Sequence, residues 1–388
     1  MHKKAFFIVI ICMMAFHVIS LAQDKNSINF YTIKSGPGKV LKAFSGMPET
    51  NISWFTGFEY GTRGNGKHAW EKVLNYPEYG LEVLYGNLNN DILGNVFAIQ
   101  PFMRFPLREE HKKFQVYFTG GLGFAYFDET YHFFDNPQNG LIGSNINNYT
   151  KGEIEIGYLF KNWRIFASMG AFHFSNAHVR LPNIGANVPE SKIGITWYAG
   201  KHDIMEKKYG TIDSTWSVNV RYGIGCHSYG STMKPFEGPV FPVHSVSFGT
   251  GKNISAAYRI SFGGTIGYYS SFNNFLLSEF RLNKHEAALK SGYASVFFGQ
   301  ELMFGKIAVY GEFALDIAKP FVREYGDIFD YQSGFSGFVK KINSNRLGLR
   351  YYLKEINQKH TWNMSFGMFI KSNFSQADFG ECAIQVKF

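Results

Sequence analysis

In this chain of 388 residues, a histidine and a serine lie two positions apart, at His173 and Ser175, and together they suggest nucleophilic chemistry. Side chains two positions apart on a strand project from the same face. An imidazole beside a hydroxyl is the elementary pair for a serine nucleophile, in which the histidine accepts the hydroxyl proton. The spacing by itself is weak evidence, because two such common residue types often meet by chance. The alternative is a polar pair that only hydrogen-bonds to lipid headgroups.

The strand that would carry this pair, residues 163–175, has two different faces. The face that ends in His173 and Ser175 is otherwise apolar, and its other members are Trp163, Ile165, Ala167, Met169 and Ala171. The opposite face carries Arg164 and Ser168 among its members. We therefore expect the pair to point outwards towards lipid near a rim, where a polar group is costly unless it is bonded.

Alternation of apolar and polar residues recurs along the chain and predicts half-buried strands. The predicted strands are 28–34, 51–60, 76–87, 94–106, 113–127, 150–161, 163–175, 189–200, 214–225, 241–250, 254–269, 291–304, 306–317, 344–354, 360–371 and 377–388. Many are longer than the average strand of about five or six residues. They suit the roughly nine to eleven residues that a tilted strand needs to cross a bilayer.

These strands predict an all-β fold, a transmembrane antiparallel β-barrel of about 14–16 strands, because two of the segments are weak. Hydrocarbon offers no partner for free backbone groups, so a spanning sheet must close. Short connectors alternate with long polar ones, as in outer-membrane barrels. No linker or change in composition interrupts the chain, so we expect residues 23–388 to form a single barrel domain. A soluble sandwich or lipocalin-like barrel is the alternative.

Residues 1–22 have the pattern of a secretory signal peptide. Lys3 and Lys4 precede an apolar stretch, and Ser20-Leu21-Ala22 places small residues before a predicted cleavage site at Gln23. A retained membrane anchor is the alternative. The prediction is an exported protein of the outer membrane of a Gram-negative bacterium.

Composition excludes several function classes. The net charge of +9 includes Lys3 and Lys4 and shows no basic cluster, which argues against a nucleic-acid partner. Cys226 and Cys382 have no metal or disulfide spacing, so we expect no metal and no cofactor. His227, His244 and His285 are isolated in the sequence. The inward charges of the strands predict a solvated or mutually paired lumen, and they include Glu153, Glu155, Arg221, Arg259, Arg346 and Arg350.

The segment HFSNA at 173–177, followed by Pro182-Asn183-x-Gly185, resembles the signature of the outer-membrane lipid A 3-O-deacylases, the PagL-like or acyloxyacyl hydrolase family. Further stretches resemble its longer relatives from Bacteroidetes-type bacteria, namely Ala69-Trp70, Tyr76-Pro77-x-Tyr79-Gly80, Leu93-Gly94-Asn95, Asn136-Pro137-x-Asn139, Ile142-Gly143-Ser144, Ala377-Asp378-Phe379 and the terminal Phe388. The resemblance covers most of the chain from about residue 50. The typical member has eight strands, so a larger barrel departs from the family.

The resemblance implies a nucleophile at Ser175 and a general base at His173. The orienting acid of the family falls fourteen residues after the histidine, which is Asn187 here. An asparagine carbonyl can hold the imidazole tautomer but stabilises imidazolium poorly, and the analogous aspartate-to-asparagine change in a serine protease costs about ten-thousandfold. Glu190 is an alternative orienting residue.

Asn176 and Asn183 match asparagines that the family is proposed to use near the oxyanion or for positioning. Both are also plausible turn residues on composition alone. The resemblance implies a carboxylic ester hydrolase, a serine esterase that removes an ester-linked 3-hydroxyacyl chain from lipid A of lipopolysaccharide. The implied partners are lipopolysaccharide as substrate and outer-membrane lipids. The sequence leaves the oligomeric state open, with a homo-oligomer as one alternative. Two alternatives stay open: a non-catalytic porin-like or structural barrel with a degenerate site, and an esterase for phospholipid.

Overall fold

The structure is a computed structural model that describes residues 28–108, 113–200, 213–228, 230–231, 234–235, 239–325, 342–356, 360–373 and 376–388. The predicted signal peptide, residues 1–22, lies outside the described residues. Within the described ranges, no helix has both the length and the apolar character needed to cross a membrane.

Eight antiparallel strands close the first barrel in chain order. They are β1 (Ile28–Gly38), β2 (Ser53–Arg63), β3 (Glu78–Asn87), β4 (Asn95–Pro106), β5 (Phe114–Phe127), β6 (Ile146–Phe160), β7 (Trp163–Ser175) and β8 (Ala186–Ala199). β8 pairs with β1, which closes the sheet. A short helix, α1 (Ala69–Val73), lies between β2 and β3.

The second barrel also closes with eight antiparallel strands. They are β9 (Trp216–His227), β12 (Phe241–Asn253), β13 (Tyr258–Tyr269), β14 (Gly292–Phe304), β15 (Ile307–Ala318), β16 (Asn345–Tyr352), β17 (Asn363–Ser372) and β18 (Ala377–Lys387), and β18 pairs with β9. The connections carry a short hairpin, β10 (Gly230–Ser231) and β11 (Lys234–Pro235), and three helices, α2 (Ser270–Ser278), α3 (Lys284–Lys290) and α4 (Pro320–Tyr325).

The predicted all-β, antiparallel barrel architecture is confirmed, and each predicted segment overlaps one barrel strand. The expectation of a single barrel over residues 23–388 is corrected, because the strands divide between two closed barrels of eight. The chain forms two compact units: the first ends at Ser175 and resumes at Ile184, and the second holds Asn176–Asn183 together with β9–β18. Alternation reports that a strand is half-buried, but it does not report which strand is its partner.

The interior of the first barrel is filled by side chains. The guanidinium of Arg104 pairs inside the barrel with Glu59 at 2.6 Å, Glu78 at 2.9 Å and Glu155 at 2.8 Å, and all four side chains are buried. An apolar cluster fills the end where β7 stops, and its members include Val40, Phe55, Phe127, Leu141, Ile142, Phe172 and Phe174. A smaller cluster of Ile28, Phe30, Phe102 and Tyr198 fills the other end. Eight-stranded barrels are just wide enough for such filling.

The second barrel has a similar interior. Its buried ion pairs are Arg221–Glu312 at 2.8 Å, Arg346–Glu381 at 2.8 Å and Arg350–Glu301 at 2.7 Å. Side chains of the connecting helices, including Phe272, Leu276 and Phe321, pack at one end against Tyr269. Of the two interiors that the sequence left open, solvated or mutually paired, the structure has the paired one.

The outward faces of both barrels are largely apolar and exposed. Met169 and Ile193 of the first barrel are 72% and 71% exposed, whereas alternate residues of the same strands are buried. Cys226 and Cys382 are free thiols on the outward faces of β9 and β18. Contiguous apolar surface on this scale marks contact with a membrane or a partner rather than with water.

Candidate active site

Strand β7 places His173 and Ser175 on its outward face. Inward Phe172 and Phe174 are buried in the apolar cluster at this end of the barrel, so the strand has little freedom to rotate. His173 is half-buried, and Ser175, the last residue of the strand, is 5% exposed. The structure therefore gives the pair the common face that the spacing predicts, with the serine set close against the wall.

Asn187 of β8 lies directly opposite His173 in the strand register. Nδ1 of the imidazole and Oδ1 of the amide are 2.8 Å apart. Because an amide oxygen only accepts, Nδ1 carries the hydrogen in this pair and Nε2 keeps its lone pair. This is the tautomer that a general base needs, and it arises between residues fourteen positions apart because the chain turns back between them.

Glu190, the alternative orienting residue, points the other way. It lies on the inward, buried face of β8 and forms an ion pair with the ammonium group of Lys192. Its distance of three residues from Asn187 is odd, so the two side chains project from opposite faces of the strand. The alternative in which Glu190 orients His173 therefore does not fit this geometry.

Gly185 makes room for the imidazole. A Cβ atom at this position would lie 2.7 Å from Cε1 and 3.1 Å from Nε2 of His173, and the backbone φ of +79° is one that side-chain-bearing residues rarely adopt. In the sequence, Gly185 is notable only as a member of the motif Pro182-Asn183-x-Gly185. The structure adds that its missing side chain lets the ring of His173 approach the backbone.

Strand β6 adds two polar residues to the same outward patch. Asn148 is opposite Ser175 and Thr150 is opposite His173 in the register. The hydroxyl of Thr150 donates to Oδ1 of Asn148 at 2.7 Å, and Nδ2 of Asn148 donates to a backbone carbonyl of β5 at 3.2 Å. Sequence reasoning missed both, although their parity relative to the outward Ile146 and Ile154 is a usable signal.

The segment after Ser175 is organised by two asparagines within the second unit. The backbone N–H of Asn176 donates to Oδ1 of Asn183 at 3.1 Å, and Nδ2 of Asn176 donates to the carbonyl of Arg180 at 2.7 Å. In the same unit the hydroxyl of Ser228 donates to the carbonyl of Val179 at 2.7 Å. Both predicted asparagines therefore shape this loop.

A second grouping of histidine, serine and aspartate occurs in the second unit. Nδ1 of His227 is 2.8 Å from Oγ of Ser271, and its Nε2 is 4.0 Å from Oδ1 of Asp378. The expectation that His227 is isolated is corrected, but Ser271 has no exposed surface and cannot meet a substrate. His244 is also partnered, by the hydroxyl of Tyr222 at 2.9 Å. In the described part of the chain, no three His, Cys, Asp or Glu side chains group as metal ligands.

Comparison with known proteins gives one family match. Residues 56–196, from β2 to β8, match the family model for lipid A 3-O-deacylase (PagL). The predicted resemblance is confirmed over these residues, which include His173, Ser175 and Asn187. The strands of the second barrel lie outside the matched range.

Solved structures align with the chain at low identity. The outer membrane enzyme PagL aligns at 16% identity with a TM-score of 0.32, over 43% of this chain and 98% of that one. CdiB from Acinetobacter baumannii aligns at 9% identity and 0.18, over 93% of this chain and 60% of that one. A mutant Rh. blastica porin aligns at 9% identity and 0.17, over 93% and 99%. A search of curated proteins finds no match.

Proposed function

We propose that this protein is an outer-membrane ester hydrolase that removes an ester-linked 3-hydroxyacyl chain from lipid A by a Ser-His mechanism. The observation that carries the proposal is the 2.8 Å contact between His173 and Asn187, on the outward face that also bears Ser175. The family match over residues 56–196 supports the reaction class.

In the first step, Nε2 of His173 accepts the proton of the Ser175 hydroxyl as Oγ attacks the ester carbonyl carbon. Asn187 accepts the Nδ1–H of the ring and keeps Nε2 aimed as the acceptor. The imidazolium then returns its proton to the departing sugar oxygen. Water then attacks the acyl-serine carbonyl as Nε2 of His173 takes its proton. When the bond to Oγ breaks, the imidazolium returns that proton to Ser175, which releases the 3-hydroxy fatty acid and restores the enzyme.

The oxyanion needs donors, and Asn176 is our candidate. Each amide nitrogen carries two hydrogens, so Nδ2 of Asn176 can keep its bond to the Arg180 carbonyl and still donate once more. Asn183 has a positioning role, because its Oδ1 holds the backbone N–H of Asn176. One such oxyanion donor is worth roughly 3–4 kcal/mol in measured cases.

An outward-facing site suits a lipid substrate. The wall below His173 is apolar and includes the highly exposed Met169 and Ile193, so a bilayer can cover it and an acyl chain can stay in hydrocarbon throughout. Because Ser175 is only 5% exposed, the substrate ester must pack closely against the outer surface of the barrel to reach its hydroxyl. Both features support an outer-membrane location and a membrane-resident ester.

The test is mass spectrometry of lipid A from cells that express wild type or Ser175→Ala. We expect wild type to remove one 3-hydroxyacyl mass from lipid A and Ser175→Ala to remove none. Ser191→Ala is the matched control, because Ser191 is an outward serine of β8 away from His173. Equal acylation in wild type and Ser175→Ala cells would refute the assignment.

The rival function, a porin-like channel, is disfavoured by the filled interiors. Buried ion pairs around Arg104 in the first barrel and Arg346 in the second occupy the space that a channel would need. Conductance in planar bilayers without ester cleavage would favour the rival. Release of fatty acid from phospholipid vesicles lacking lipopolysaccharide would instead indicate a phospholipid esterase.

A further inference from the structure

A groove of about 530 Å³ lies in the outer wall of the first barrel, where β6 turns into β7. Tyr158 and Phe160 of β6 and Ile165 of β7 line it together with Lys113 and Lys161. The volume falls in the range of roughly 300–1,000 Å³ that is typical of ligand sites. It suits a lipid headgroup and the upper part of an acyl chain.

The groove lies at the opposite end of β7 from His173. Twelve residues separate Lys161 from His173, which is roughly 40 Å along a strand at about 3.3 Å per residue. A strand tilt of about 40° reduces this to a height of roughly 30 Å, the thickness of a bilayer's hydrocarbon core. The groove and the proposed active site therefore face opposite leaflets.

Aromatic residues mark this end of the barrel as an interface. Trp197 packs against Trp163 with ring centroids 6.3 Å apart and stacks on Tyr31 at 5.6 Å. All three rings are outward and exposed. Such belts of Trp and Tyr sit at headgroup level in membrane proteins.

The lining combines an apolar floor with two positive charges. Tyr158, Phe160 and Ile165 are each about half exposed, whereas Lys113 and Lys161 supply two ammonium groups. Lysine binds phosphate as a point charge. The cation of a zwitterionic headgroup would be repelled by the two lysine ammonium groups. The two positive charges therefore favour a lipid whose headgroup has a net negative charge.

We propose that this groove binds an anionic phospholipid of the leaflet opposite the one that holds lipid A. The headgroup phosphate lies between the ammonium groups of Lys113 and Lys161, and an acyl chain lies along Tyr158 and Ile165. The inference rests on the membrane location in the proposed function, but not on the chemistry of Ser175.

The experiment is native mass spectrometry of the full-length protein in detergent, titrated with phosphatidylglycerol or phosphatidylcholine. We expect the wild-type protein to bind phosphatidylglycerol at least tenfold more tightly than it binds phosphatidylcholine. The double variant Lys113→Gln, Lys161→Gln should lose roughly thirtyfold in that affinity, since each lysine near a lipid surface contributes a factor of about five. Lys252→Gln with Lys306→Gln, in the second barrel, is the charge-matched control and should keep wild-type affinity.

Equal binding of the two lipids by wild type, or equal affinity in the double variant and the control, would overturn the site. Displacement of bound lipid by inorganic phosphate alone would overturn the lipid assignment. Lipid A deacylation measured on the same preparations keeps the two proposals separate. Loss of activity in Ser175→Ala with retained phosphatidylglycerol binding supports both, whereas inactive wild type that binds phosphatidylglycerol refutes only the proposed hydrolase.

Discussion

Replacing Asn187 by aspartate should make the proposed enzyme faster. The amide oxygen lies 2.8 Å from Nδ1 of His173 and holds its tautomer, but it carries no charge to stabilise the imidazolium. Two unit charges about 4 Å apart attract by roughly 4 kcal/mol at an effective dielectric constant of about 20. Asn187 is exposed and His173 half-buried, so we halve that figure to about 2 kcal/mol. At 1.36 kcal/mol per factor of ten, the rate should rise roughly thirtyfold.

The assay is the initial rate of 3-hydroxy fatty acid release from lipid A in mixed micelles, with kcat and KM separated. The gain should be in kcat, because the added charge acts only once His173 is protonated. Asn187→Ala removes the hydrogen bond and should lower kcat about tenfold. Asn87→Asp is the control, because Asn87 is an exposed, outward asparagine at the same end of the first barrel, three strands from β6.

An Asn187→Asp variant that stays folded with kcat unchanged or lowered would contradict the proposed stabilisation of imidazolium. A wild-type rate in Asn187→Ala would show that the 2.8 Å contact has no part in orienting His173. A gain in Asn87→Asp as large as that in Asn187→Asp would show a general effect of charge on substrate binding.

Gly185→Ala should lower deacylation roughly a hundredfold while the barrel stays folded. The new Cβ would lie 2.7 Å from Cε1 of His173 and 2.7 Å from the carbonyl oxygen of Phe174, so the ring and the adjoining backbone must both shift. Deacylation rates measure the first effect, and far-ultraviolet circular dichroism checks that the barrel is still folded. Ser271→Ala should leave deacylation unchanged, since the serine beside His227 is fully buried; a fall in rate would show that the second grouping takes part. Arg104→Leu should cost about 3–5 kcal/mol of unfolding free energy, measured by urea denaturation in detergent, because it leaves three buried carboxylates without their shared cation. Purified protein should show no ohmic conductance in planar bilayers, since paired side chains fill both barrels; steady channel openings would contradict that reading.

Much of the candidate site was predictable from local pattern. Parity along β7 places His173 and Ser175 on the apolar face, and the structure has both there. The same rule turns Glu190 inwards, because its distance from Asn187 is odd, and the structure has it on the buried face. The direct opposition of His173 and Asn187 depends on the β7–β8 register, which the spacing of fourteen residues alone does not specify.

Other features of the site required the tertiary structure. The role of Gly185 depends on where the ring of His173 lies in space. The residues around a glycine in the sequence do not show which side chain packs against it. The partner of His227 is Ser271, forty-four residues away at the start of a helix, so no local window could have joined them. The same holds for the carboxylates that share Arg104, which come from three other strands.

Which segments are strands, and which face of each strand is apolar, follows from the amino-acid pattern, because side-chain alternation is a property of the strand alone. The pattern did not determine how the strands close. β8 ends beside β1 rather than continuing into β9, and β9 closes on β18. Every strand offers the same backbone N–H and C=O groups to its neighbours, so the choice of partner is made by non-local packing. In each barrel the inward side chains fill an interior of the width that eight strands enclose. This packing favours two barrels of eight strands over one larger barrel.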